Sequence, residues 1–94
     1  MERIMEQKTR LAQRLLQEKG LYRGAVDGVP GPLTRRGLAQ VAGIDPSLPV
    51  ERQVTTFVQI SAQERGISIG PIDGLWGPRT DRAVRELDGP RPEE

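Results

Sequence analysis

Apolar residues in the first twenty positions recur with helical spacing. Ile4, Met5, Leu11, Ala12, Leu15 and Leu16 make one stripe, and Arg10, Gln13, Arg14 and Gln17 take the other face. The spacing predicts an amphipathic helix stopped at Gly20, which is suited to the left-handed position that ends a helix. The pattern returns after the midpoint: Pro49 opens a helix, Val50, Val54, Phe57, Val58, Ser61 and Ala62 form its stripe, and Gly66 closes it. Each stop leads into a loop with two apolar anchors, Leu21 and Val26, then Ile67 and Ile72. Asp-Gly-x-x-Gly-Pro-x-Thr follows in both places, and then a short helix whose inward residues are Leu38 and Val41 or Ala83, Val84 and Leu87. The flanks of Asp-Gly do not alternate between apolar and polar, which argues against a hairpin turn there.

These two halves are one pattern written twice. An offset of 46 places Gln17 to Gly43 on Gln63 to Gly89 without a gap, with 11 identities in 27 columns. Upstream, Gln7/Gln53, Thr9/Thr55 and Gln13/Gln59 also match, and Ile4/Val50, Leu11/Phe57 and Ala12/Val58 keep phase. Chance likeness between two loops rich in Gly and Pro would not carry helical phase upstream, so the chain reads as an internal duplication. Its parts are a first repeat at 3–43, a linker at 44–49, a second repeat at 50–89 and a tail at 90–94.

Composition narrows the chemistry. With no Cys and no His among 94 residues, thiol nucleophiles, disulfides, the usual zinc sets and imidazole bases are absent. A carboxylate pair needs a cleft that a chain this short can hardly supply, so we expect no catalytic residues, no enzyme activity and no cofactor. The Asp-Gly loops offer one carboxylate each, too few for a calcium loop, and no metal is expected. Fourteen basic and 13 acidic residues are interleaved and give a net charge of +1, unlike a nucleic-acid surface. No stretch has the length and apolarity of a membrane span, and the charged N-terminus lacks the apolar core of a secretory signal.

The loop residues have conformational reasons of their own. Asp27 and Asp73 can bond a backbone N–H two or three residues on, Gly28, Gly31, Gly74 and Gly77 accept positive φ, and Thr34 and Thr80 sit at the helix start. Trp76 lies between glycines, where a ring could stack on a sugar or anchor a protein. Arg79 and Arg82, with Arg36 in the first repeat, occupy early helical turns, where positive charge opposes the macrodipole and a carboxylate partner would relieve it. Tyr22 and Arg23 are candidates for exposed recognition.

Ala12-Gln13, Leu16, Gly20, Gly24, Val26-Asp27-Gly28, Gly31-Pro32 and Thr34, answered by Val58-Gln59, Ala62, Gly66, Gly70, Ile72-Asp73-Gly74, Trp76-Gly77-Pro78-Arg79-Thr80 and Ala83-Val84, resemble the peptidoglycan-binding domain often appended to bacterial and phage cell-wall hydrolases. The first copy departs from the pattern at Pro30, where an aromatic is common, and at Gly37-Leu38. The resemblance implies an all-α fold of two tandem three-helix repeats on a shared core, each with a very short helix in its loop. It implies packing for Trp76 and loop support for Gln13 and Gln59. It also implies a non-catalytic module that binds glycan and stem peptide beside the last helix of each copy. The alternative is a bacteriophage virion component, in capsid, tail or baseplate, using the fold for protein–protein contacts; lack of an adjoining hydrolase and of a secretory signal would suit it. Either way the chain is expected to be made in the cytoplasm and to act at the cell wall or within a larger assembly, with peptidoglycan or virion proteins as partners.

Overall fold

The long stripes of Leu and Val make the two central helices, and each Gly-Pro element launches a shorter one. The computed structural model describes residues 2–88, with side chains from 6 to 87. Its helices are α1 (Glu2–Glu18), α2 (Pro32–Ala39), α3 (Val50–Glu64) and α4 (Pro78–Asp88), and no strand occurs among the described residues. The side chains of Ile4 and Met5 and the tail 90–94 lie outside them. The two long helices α1 and α3 form the principal packed pair. One core joins both halves: Leu11, Leu16 and Leu38 meet Val54, Phe57, Val58 and Ala62, with Ala83 and Leu87 closing from α4.

Both long helices end as expected, with Gly20 at φ +76° and Gly66 at φ +80°. Leu21 N–H returns to Leu16 C=O at 2.9 Å and Ile67 N–H to Ala62 C=O at 3.0 Å, the longer bond of a Schellman stop. Pro32 and Pro78 each stand at the first helical position. Pro49 is the residue just before α3, with φ −54° and ψ 147°, so the helix begins one residue later than predicted.

Lys19 pairs with Glu64 at 3.2 Å and Arg65 with Glu18 at 3.0 Å. Shifted by 46, each pair becomes the other with the copies exchanged. Such reciprocal contact is what an isologous, two-fold packing of the two halves would produce.

Four expectations are corrected. Each loop is irregular, so each copy has two helices and no short middle one. The reason is visible in the first loop: Asp27 and Gly28 give their N–H groups to a side chain, and Gly28 at φ +79° leaves the helical region. Gln13 is fully buried instead of lying on the outer face. Ile72 is 36% exposed, and Ile69 is the buried anchor of the second loop. Gly31 (φ −84°) and Gly77 do not hold positive φ; they precede a proline, which favours extended backbone. The linker is also built in: Ile44 is buried, and Gln53 Nε2 donates to Leu48 C=O at 2.7 Å and Pro46 C=O at 3.2 Å.

Candidate functional site

A buried glutamine organises each loop. Gln13 Nε2 lies 3.0 Å from Val29 C=O, 3.0 Å from Thr34 Oγ1 and 3.2 Å from Asp27 Oδ1, while its Oε1 accepts from Asp27 N at 3.1 Å and Gly28 N at 3.0 Å. Gln59 Nε2 lies 3.1 Å from Leu75 C=O, 2.9 Å from Thr80 Oγ1 and 3.3 Å from Asp73 Oδ1, and Gly74 N donates to its Oε1 at 2.9 Å. All of these partners except the Asp27 N–H recur at the same offset of 46, down to the Asp turns in which Val29 N and Leu75 N each meet an aspartate oxygen at 2.9 Å. Thr34 and Thr80 are buried and serve the glutamine; the residue before α2, Gly31, makes no side-chain cap.

The backbone N–H of Val29 holds the Asp27 carboxyl below the ordinary 3.8, with Gln13 adding to the effect, and Leu75 and Gln59 do the same for Asp73. A carboxyl with a lowered folded-state pKa leaves the unfolded chain to bind the proton first. Its stabilisation is therefore complete above about pH 4 and lost as pH falls through the lowered folded value. Thermal melts between pH 6 and pH 2 should show stability falling in that acid window. Asp27→Asn with Asp73→Asn should flatten the fall; an unchanged pH profile in the double variant would show that these turns do not carry it.

Between the second loop and the start of α4 lies a groove of about 320 Å³, floored by Gln59, Ile69 and Thr80, walled by Pro71, Leu75 and Pro78, and edged by Arg79. Gly70, at φ +75°, lets Arg79 fold across it: a Cβ there would stand 2.6 Å from Arg79 Nη1. Leu75 keeps 57% of its surface exposed. Trp76 is half-buried at the neighbouring loop position, and Lys8 Nζ from α1 sits 5.0 Å from its ring centroid.

The first copy has a different surface. Its loop leaves a hollow of about 200 Å³ lined by Tyr22 and Asp27, and a recess of about 590 Å³ between Pro30, Pro32, Arg35 and Arg36. Tyr22 is buried, its hydroxyl bonded to Ala25 C=O and 3.2 Å from Gln13 Nε2, so it is a packing residue and not an exposed recognition residue. The ring packs against Gly24, where a Cβ would meet its Cζ at 2.9 Å, and lines the first copy's hollow as Ile69 lines the second copy's groove. Arg23 and Arg82 are exposed and line neither groove.

Sequence reasoning missed Lys8, Arg35 and Ile69. Lys8 left a signal: it stands opposite Val54, an apolar stripe position of the other copy. Arg35 stands opposite Asp81, so α2 has no acidic residue in its first turn, whereas α4 has Asp81, paired with Arg85 at 3.2 Å. Comparison with protein-family models, with curated proteins and with solved structures finds no match.

Proposed function

We propose that the chain is a non-catalytic module that binds peptidoglycan, with the groove beside α4 as its principal site. The reading rests on one juxtaposition: an apolar trough of Ile69, Pro71, Leu75 and Pro78 bordered by the guanidinium of Arg79, with half-buried Trp76 next in sequence to the lining residues Leu75 and Gly77. The apolar walls suit the faces of a sugar or the methyl groups of a stem peptide, and Arg79 suits a carboxylate. The reading treats the molecule as two tandem repeats, supported by the matched glutamine networks. It assigns no reaction: Asp27 and Asp73 are ionised acceptors tied to their own loops.

Sedimentation with purified sacculi tests it. The parent should pellet with the polymer at moderate salt, and Arg79→Ala should weaken binding roughly tenfold or more with little change in melting temperature, since a charge-assisted bond contributes about 1.5–3 kcal/mol and an exposed arginine adds little to folding. Arg82→Ala should bind like the parent, because Arg82 lies outside the groove. A parent that stays in the supernatant overturns the reading.

A further inference from the structure

Lys8 is an expensive residue in its place. It projects from α1 with 6% of its surface exposed, and burial lowers its pKa while Glu51 opposes the effect. Burying an ammonium is unfavourable unless fixed partners compensate it. Lys8 has two on the second copy: Thr55 Oγ1 at 3.0 Å and the face of Trp76 at 5.0 Å. The internal two-fold supplies the control. Exchanging the copies turns Lys8 into Val54, fully buried, and Trp76 into Pro30. One end of the axis therefore carries Val and Pro where the other carries Lys and Trp. The fold does not need a cation at this position, since Val54 occupies its counterpart.

Exchange also pairs Thr55 with Thr9. Thr55 Oγ1 receives Lys8 and donates to Glu51 C=O at 3.1 Å, whereas Thr9 Oγ1, facing no lysine, is buried without a partner. The lysine, its threonine and the indole thus form a unit that exists once, on the loop whose Leu75 and Gly77 line the groove of Arg79.

We propose that Lys8 is a positioning residue through which the first copy completes the second copy's groove: its ammonium, fixed by Thr55, holds one face of Trp76 and leaves the indole as a stacking platform for a sugar ring. The platform rests on the peptidoglycan reading, but the fixing of the ring does not. One cation over an indole is enough to select a ring orientation without being essential to folding.

Trp76 is the single tryptophan, so its near-ultraviolet dichroism and its quenching by acrylamide report on one ring. Lys8→Met keeps the apolar stem and removes the charge. It should keep a cooperative melt within a few degrees of the parent, lose most of the tryptophan dichroic band, quench more readily, and bind sacculi roughly three- to thirtyfold more weakly. Lys8→Arg, which retains a cation for the ring, should restore band and binding. An unchanged band and unchanged quenching in Lys8→Met overturn the positioning. A disordered ring with undiminished sacculus binding overturns the platform. If the parent itself fails to bind, the peptidoglycan reading and the platform fall, while the optical comparison still decides whether Lys8 fixes the ring.

Discussion

Gln13→Glu should destabilise the protein by at least about 3 kcal/mol at pH 7, a large part of what a domain of this size has to lose. The side chain is fully buried, and its amide nitrogen lies against four oxygens, those of Tyr22, Asp27, Val29 and Thr34. Replacing that NH2 with a carboxylate oxygen puts acceptor against acceptor and brings a second negative charge to the ionised Asp27. The two loop N–H groups on Oε1 keep an acceptor, so the loss is concentrated on the nitrogen side. Gln63→Glu, exposed on α3, should change stability by less than about 0.5 kcal/mol. Denaturant titration of the two variants checks the difference, and similar midpoints would mean that Gln13 does not hold the loop together.

That glutamine also shows where the sequence was legible and where it was not. Helical phase carried the long helices, because Leu11 and Leu15, Ala12 and Leu16, and then Val54, Phe57 and Val58 recur three or four residues apart. The same phase put Gln13 on the polar face, since periodicity sorts residues by type and cannot see a polar group whose partners arrive from positions 9 to 21 residues further along the chain. The loops themselves were misjudged for a related reason. A short helix in them would need its own backbone bonds, and the first glutamine takes two of the required N–H groups instead. Tyr22 and Ile69 are both buried but sit one residue apart in repeat register, so an offset of 46 does not pair them. Of the proposed groove, the sequence offered Arg79 as a candidate and did not point to Lys8, because a contact between the two halves depends on how they meet. The offset of 46 gives the repeat but not its axis.

Gly74 and Gly77 should separate sharply. Both belong to the Asp-Gly-x-x-Gly-Pro element, and the sequence alone makes them equivalent. Gly74 holds φ +75°, a region that a β-branched residue occupies at a cost of about 1–3 kcal/mol. A Cβ there would also stand 2.7 Å from Thr56 Oγ1 and 3.2 Å from the backbone oxygen of Arg52. Neither obstacle moves easily, because the hydroxyl is bonded to that same oxygen at 2.7 Å and the oxygen belongs to α3. Gly74→Val should therefore lower stability by about 3–4 kcal/mol, strain and collision together. Gly77 lies before a proline outside the positive-φ region, with nothing within 4 Å of a new Cβ, and its carbonyl keeps its bond from Asp81 N at 2.9 Å whatever the side chain. Gly77→Val should cost less than about 1 kcal/mol, the ordinary penalty of a poor residue at a helix start. Parallel guanidinium unfolding curves decide it: a wide gap between the two midpoints is expected, and equal midpoints would place the strain of this turn somewhere other than Gly74.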